Sequence, residues 1–119
     1  MNAECRCAIV WIAAMLRLKR DVWELVDEST GKRCIYSGEV SESTIQVYDY
    51  QRSCQIIGRA GALYDSALRN GIQVSVSGDD FYGYDYASHH SFSGRIGKAR
   101  ASLVDAANGQ CFEYRYSAT

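Results

Sequence analysis

Apolar and polar positions change their periodicity near residue 21. Residues 8–16 are continuously apolar, and the surrounding stretch 4–20 contains no glycine and ends in the basic residues Arg17, Lys19 and Arg20. Ala, Leu and Met favour helix, and cations near a helix C-terminus interact well with its dipole. The pattern predicts an N-terminal α-helix over residues 4–20.

Residues 21–117 alternate apolar and polar positions, which is the period of a β-strand. The alternating segments can be aligned on a recurring aspartate at their C-terminal end, and each is followed by a polar turn and a return segment. The first segments are 23–27, 45–49, 61–65, 81–85 and 101–105, and the returns are 33–37, 54–57, 72–76, 91–96 and 111–116. The repeat predicts one mainly β domain over residues 1–119. We expect an antiparallel meander of repeated hairpins, with roughly eight to ten strands curled into a sandwich or partly closed barrel and the helix packed against one opening or face.

Strand alternation also assigns two faces and a role for the aspartates. The second and fourth residues before each aspartate should face the core, so Leu25 and Trp23 are both expected inside. Each aspartate is expected to accept backbone hydrogen bonds within its turn, the alternative being an acidic functional site. Asn70-Gly71, Asn108-Gly109 and Thr30-Gly31 are predicted hairpin turns, although residues 65–71 also suit a short helix.

Composition and charge exclude several classes of partner. The chain has 13 Lys and Arg against 14 Asp and Glu, a formal charge of −1, which disfavours nucleic acid. The apolar stretch 8–16 is far shorter than the roughly 20 residues that cross a bilayer, so no membrane partner is expected. A signal peptide is also disfavoured, because basic residues stand where a cleavage site should be. Met15 offers an alternative translation start, which would leave the preceding residues without an evolved packing partner.

The cysteines and histidines give no strong catalytic or metal-binding pattern. Five cysteines are an odd number without metal-ligand spacing, which favours a reducing cytoplasm. Cys5 and Cys7 diverge on a helix and are interpreted as incidental thiols, while Cys54 and Cys111 are expected to fill the core. His89 and His90 lie at a predicted hairpin tip, where adjacent side chains point to opposite faces and do not share one ion. No metal and no cofactor are expected.

Tyrosine is the most suggestive residue type for function. Tyr48, Tyr50, Tyr82, Tyr84 and Tyr86 come from two hairpins and combine apolar area with a hydroxyl group, which suits either a binding surface or the cover of a second core face. The sequence predicts a non-enzymatic binding or protein-interaction module. Its Tyr/Asp-rich sheet face, with the two histidines nearby, would recognise a protein or a small polar ligand such as a saccharide. The alternative is a small hydrolase-like enzyme with a site around His89 and His90.

The N-terminal helix also predicts self-association. Its apolar residues surround the helix instead of forming one stripe, so it needs cover from its own domain or from a neighbouring subunit. A domain of 119 residues has limited core to receive them. We therefore predict a homo-oligomer, most simply a dimer. The contact would include part of the tyrosine-bearing face and the helix residues Ile9, Trp11, Ile12, Met15 and Leu16.

Two Tyr-Asp-Tyr hairpins carry a resemblance to known proteins. Residues 47–50 (Val-Tyr-Asp-Tyr) and 83–86 (Gly-Tyr-Asp-Tyr) are each followed by a polar turn and a return strand. This pattern, over residues 44–117, resembles small uncharacterised bacterial proteins, some of them carried on mobile integron gene cassettes. The hairpins at Asp65 and Asp105 depart from it, because they lack the second tyrosine. The resemblance implies a β-rich fold and a bacterial origin, and it implies no activity.

Overall fold

Eleven strands follow one helix along the chain. The computed structural model describes residues 1–119. Helix α1 spans Ala3–Leu18. The strands are β1 (Val22–Asp27), β2 (Lys32–Cys34), β3 (Tyr36–Val40), β4 (Ile45–Asp49), β5 (Cys54–Arg59), β6 (Ala62–Asp65), β7 (Asn70–Ser77), β8 (Asp80–Asp85), β9 (His90–Ile96), β10 (Arg100–Asp105) and β11 (Gln110–Ala118).

The strands form a single antiparallel sheet that closes on itself almost completely. From β3 to β11 each strand pairs with the next in the chain, β11 then pairs with β1, and β1 pairs with β2. The two edge strands, β2 and β3, are consecutive in the chain and are separated only by Ile35. The result is a nearly closed barrel, which confirms the predicted β-meander and decides between the sandwich and the barrel.

A side-chain amide bridges the gap between β2 and β3. The Ile35 N–H donates to Gln51 Oε1 at 2.6 Å, and Gln51 Nε2 donates to the Ile35 carbonyl oxygen at 3.1 Å. The amide of Gln51 therefore takes the place of a neighbouring peptide group at the one position where the ladder breaks. Both backbone groups of Ile35 are thereby satisfied where the strand ladder is interrupted.

Helix α1 lies within the curl of the sheet. Asn2 caps it, accepting from the Cys5 N–H at 2.8 Å through Oδ1. The helix packs against β1, β3, β7, β9 and β10, strands spread around the barrel, and its buried residues point in all directions. A helix that is apolar all round must be buried on every side, and the barrel interior provides that cover. The expectation of a helix against one opening or face is wrong. This helix is not long and apolar enough to span a membrane.

The interior position of α1 corrects the predicted oligomer contact. Ile9, Trp11 and Ile12 are at most 3% exposed within a single chain. The Trp11 indole N–H also donates to the Val22 carbonyl at 2.8 Å, inside the barrel. These side chains are therefore unavailable to a second subunit. Met15 and Leu16 are partly buried at the C-terminal end of the helix. The oligomeric state itself stays a prediction.

Two local predictions also fail, each for a backbone reason. Trp23 was expected in the core but is 61% exposed. The pairing of β1 with β11 shifts register between Val22 and Glu24, so Val22 takes the inward position and Trp23 turns outward. Asn70-Gly71 is not a turn, because both residues belong to β7 and pair with β6. The stretch between β6 and β7 is a turn and not a short helix.

Candidate functional site

Outward-facing aromatic residues are concentrated on one half of the barrel. All five tyrosines predicted to bind a partner lie there, and the structure adds two neighbours that the sequence did not single out, Ile57 and Tyr64. Most are between 36% and 55% exposed. We call this surface the tyrosine face and define it as Tyr48, Tyr50, Ile57, Tyr64, Tyr82, Tyr84 and Tyr86. Alternation along the strands could have identified Tyr64, since it also directly precedes a repeat aspartate.

Two edge-to-face tyrosine pairs form the two sides of the tyrosine face. The ring centroids of Tyr48 and Tyr50 are 4.8 Å apart, and those of Tyr84 and Tyr86 are also 4.8 Å apart. The Tyr50 hydroxyl shares a hydrogen bond with Ser37 Oγ at 3.0 Å. Such pairs fix their rings in favourable geometry and reduce the entropy that a partner must remove on binding.

The surface between the two pairs is continuous. Ile57 and Tyr64 are directly opposite each other on β5 and β6, and Tyr64 is opposite Gly71 on β7. The Tyr86 ring covers Gly71, with Cδ2 3.3 Å from where a Cβ would lie. Four strand spacings separate β4 from β8, a width of about 19 Å at about 4.8 Å each. The tyrosine face therefore has the width of a protein contact.

The tyrosine face is nearly free of charge. The polar residues among its aromatic side chains on β4, β5 and β7 are Gln46, Gln55, Gln73 and Ser75. Charged residues on β4 to β8 are confined to strand ends, as with Arg59 on β5 and Asp80 on β8. The opposite half of the barrel carries ion pairs instead, such as Arg33 with Glu24 at 2.7 Å and Arg100 with Glu28 at 3.1 Å.

His89 and His90 do not form a catalytic arrangement. Both are exposed where β8 turns into β9. His89 has a φ of 60°, a left-handed conformation that the turn requires. Neither imidazole takes part in any side-chain hydrogen bond or ion pair, so no carboxylate or thiol is placed to activate it.

The repeat aspartates face the interior and not the tyrosine face. Asp27, Asp49, Asp65, Asp85 and Asp105 are at most 2% exposed. In each, Oδ1 accepts a hydrogen bond from the backbone N–H two residues later, at 2.9 to 3.2 Å. This confirms the predicted turn role, and it corrects the predicted Tyr/Asp-rich face, because the two residue types lie on opposite sides of the sheet. We call the end of the barrel formed by these five turns the aspartate end.

The five turns share a second feature that the sequence analysis missed. Four residues separate each aspartate from its return strand, and the fourth has a positive φ in every case. These fourth residues are Gly31, Ser53, Arg69, His89 and Gly109, with φ between 51° and 75°. Only two are glycine, so composition hides the common conformation, whereas the constant spacing after the aspartate would have shown it.

Arg52 joins two of the turns through buried ion pairs. Its Nε is 2.7 Å from Asp49 Oδ2, and its Nη2 is 2.8 Å from Asp65 Oδ2. Burial lowers the pKa of Arg52, but the two carboxylates outweigh burial and the net shift is upward. The guanidinium therefore stays charged and neutralises part of the negative charge at the aspartate end.

Two buried thiols line a cavity at the aspartate end. The cavity has a volume of about 360 Å³ and is lined by residues of the helix N-terminus, β2 and the adjacent turns, including Cys7, Asp27, Lys32, Cys34 and Gln51. The Cys7 thiol donates to Asp27 Oδ2 at 3.9 Å. The neighbouring Cys34 thiol raises the pKa of Cys7, with burial adding to the rise, and Cys7 lowers the pKa of Cys34 against the effect of burial. Cys7 was expected to be an incidental thiol, and no pattern in the sequence points to Cys34.

Comparisons with known proteins add no functional information. No protein-family model matches the chain, and neither a curated protein nor a solved structure matches it. The resemblance to cassette-borne bacterial hairpin proteins stays a prediction. Within the structure, no three His, Cys, Asp or Glu side chains are grouped so that they could hold a metal ion.

Proposed function

We propose that the protein is a non-enzymatic interaction module whose tyrosine face binds a second copy of the same chain. The observation that carries the proposal is the concentration of exposed aromatic side chains on β4, β6 and β8 and in the turns that follow β4 and β8, on an almost uncharged surface. Interfaces are enriched in tyrosine and depleted of charge at their centres. A surface of this composition differs from an ordinary solvated sheet face.

Shape favours a protein over a small ligand. Small-molecule sites are concave and enclose most of their ligand. The tyrosine face lies on the outside of a barrel, spread over five adjacent strands, and so it is convex. A saccharide would stack on one ring there and remain open to water on its other side. A protein surface can cover the whole width at once.

Charge favours a second copy of the chain as the partner. In a two-fold dimer the same patch meets itself, so a charged patch would face its own sign. The tyrosine face avoids this problem, since its polar residues are mainly glutamine, serine and tyrosine. The formal charge of −1 for the whole chain also leaves little long-range repulsion between copies.

The hydrolase-like alternative has less support. It requires His89 or His90 beside a nucleophile or a carboxylate, within hydrogen-bonding distance. Both imidazoles instead lie at an exposed turn, where one of them serves the backbone conformation. We therefore assign no reaction to this pair.

Sedimentation at micromolar concentration tests the proposal with two matched substitutions. Tyr64→Glu places a carboxylate at the centre of the tyrosine face, and Trp23→Glu places one at an exposed aromatic residue on the opposite half of the barrel. We expect a dimer whose dissociation constant rises at least about tenfold with Tyr64→Glu, because a buried unpaired carboxylate costs more than 1.4 kcal/mol. Trp23→Glu should leave it unchanged.

Two results would overturn the assignment. A wild-type protein that sediments as a monomer would exclude the second copy as the partner. A dimer that is weakened by Trp23→Glu and not by Tyr64→Glu would place the contact on the other half of the barrel. Circular dichroism of both variants checks that neither change has unfolded the protein, since both positions are exposed and outside the core.

A further inference from the structure

We propose that Cys7 and Cys34 form a redox-active dithiol that opens onto the cavity at the aspartate end and reacts with a small disulfide of the glutathione class. Both thiols line the same cavity of about 360 Å³. Cys7 lies on the interior helix α1, and Cys34 lies on the closing strand β2.

The surroundings distinguish this pair from the other cysteines. Cys5 and Cys54 are buried, as Cys7 and Cys34 are, and Cys111 is exposed on β11, contrary to the core position expected for it. The difference is the cavity, which none of these other three cysteines lines. The cavity volume lies within the range of small-molecule sites. Its charged lining residues are Lys32 and Arg33 together with Glu4 and Asp27. This mixture suits a small peptide disulfide, which carries both carboxylates and ammonium groups.

Cys34 is the attacking thiol in the first step. The neighbouring Cys7 thiol lowers the pKa of Cys34 against the effect of burial and so favours the Cys34 thiolate, which is the reactive form. The thiolate attacks one sulfur of the small disulfide, the sulfur–sulfur bond breaks, and its electron pair leaves on the other sulfur. That sulfur takes up the proton that Cys34 lost. The products are a mixed disulfide on Cys34 and one small thiol.

Cys7 completes the exchange in the second step. Once Cys34 is in the mixed disulfide, the thiolate that most strongly raised the pKa of Cys7 is gone. The Cys7 thiol can then pass its proton to Asp27, whose Oδ2 is 3.9 Å away, and attack the Cys34 sulfur. The second small thiol leaves and takes the proton from Asp27. In total, a dithiol and a small disulfide become a protein disulfide and two small thiols, so hydrogen and electrons balance.

The reaction has a structural consequence. A bond between Cys7 and Cys34 would join α1 to the strand that closes the barrel, next to the Gln51 bridge. Cross-links stabilise mainly by restricting the unfolded chain. Oxidation should therefore raise the melting temperature, and reduction should reverse the change.

The test uses the full chain carrying Cys111→Ser, because Cys111 is exposed and would react by itself. The protein is reduced, freed of reductant without air and incubated with oxidised glutathione, and its intact mass and peptide map are measured. We expect a product lighter by two hydrogens with a link between Cys7 and Cys34. Adding Cys7→Ser should stop the reaction at a glutathione adduct on Cys34, and adding Cys34→Ser should abolish both products.

Control variants distinguish a failure of the dithiol proposal from a failure of the protein to fold. Cys54→Ser, in the same background, alters a buried thiol outside the cavity and should leave the link intact. Cys34→Ala is a second variant to use if the serine at this buried site impairs folding. The proposal is overturned if Cys34 stays unmodified while Cys111 of the wild type becomes fully modified. It is also overturned if the mixed disulfide accumulates without closing, or if the link forms only in denaturant.

Discussion

The two ends of the barrel solve the same problem, reversing the chain between antiparallel strands, in different ways. At the aspartate end the same four-residue turn occurs five times, with a buried carboxylate and a positive φ in each. At the other end, which we call the loop end, the connections differ from one another. They range from the two-residue turn Gly78–Asp79 to the four-residue segment between β3 and β4. The aspartate end therefore repeats one turn structure, whereas the connections at the loop end differ in length.

The ends also differ in how they handle charge. Arg52 and Asp65 at the aspartate end are 2.8 Å apart with side chains at most 9% exposed, and Arg17 and Asp79 at the loop end are also 2.8 Å apart but are 43% and 56% exposed. The distances are equal, so distance alone cannot rank the two pairs. Water screens the loop-end pair, whereas removing one partner from the buried pair leaves a carboxylate without compensation.

The largest expected effect comes from comparing these two arginines. Arg52→Met should lower the free energy of unfolding by about 3 to 5 kcal/mol, because it leaves Asp49 and Asp65 buried without their cation. Arg17→Met, the matched change at the loop end, should cost about 1 kcal/mol or less. Urea denaturation followed by circular dichroism measures both. Equal losses for the two variants would contradict the view that burial decides the value of these pairs.

A second prediction concerns the stability of the protein at alkaline pH, which should depend more on a buried thiol at the aspartate end than on a tyrosine at the loop end. Burial raises the pKa of Cys5, which lies near Arg52 and Asp65, from 9.0 to about 12. Folding therefore favours the protonated thiol, and its stabilising contribution is complete below pH 9 and declines as the pH rises from 9 towards 12. The decline is about 1.4 kcal/mol per pH unit for one such group.

Cys5→Ala tests this contribution through the slope of stability against pH. The variant should lose less stability than the wild type between pH 9 and 11, even if it is less stable at neutral pH because of the cavity it creates. Tyr116→Phe removes a loop-end hydroxyl whose pKa burial raises in a less enclosed position, so it should change the slope less. Identical slopes for Cys5→Ala and the wild type would show that this thiol does not control alkaline stability.

Much of the fold could be predicted from the sequence because strands and turns follow local rules. The five aspartate-ended segments became β1, β4, β6, β8 and β10, with boundaries within one residue of those expected. What local rules could not show was closure. Nothing near Ile35 in the sequence indicates that the side chain of Gln51 will bond to it between β2 and β3. Without closure of the barrel, the apolar helix has no cover within its own chain. The helix was therefore assigned to an interface although it fills the interior.

The candidate sites also divide into features that local sequence rules predict and features that only tertiary packing creates. Alternation placed the tyrosines on one face, and applied to the aspartates themselves it would have placed them on the opposite, inner face. Cys7 and Cys34 are distant in the chain, and only the docking of α1 inside the barrel brings them to one cavity. Pairs made by tertiary packing leave no spacing signal in a single sequence.

The smallest expected effect concerns the positive-φ residue of the repeated turn. It tests whether the backbone conformation of that residue determines its effect on the free energy of unfolding. Arg69 holds a φ of 54° with an exposed side chain that makes no hydrogen bond or ion pair, whereas Gly109 holds a φ of 67° at the same position of another turn. A non-glycine residue in the left-handed region destabilises the folded state by roughly 1 to 2 kcal/mol. Replacing it with glycine removes this strain, but glycine also increases the entropy of the unfolded chain, which offsets part of the gain in stability. Arg69→Gly should therefore raise the free energy of unfolding by about 0.5 to 1 kcal/mol, and Gly109→Ala should lower it by about 1 kcal/mol. Urea denaturation at neutral pH measures both, and a loss of stability in Arg69→Gly would mean that this turn depends on its side chain and not only on its backbone conformation.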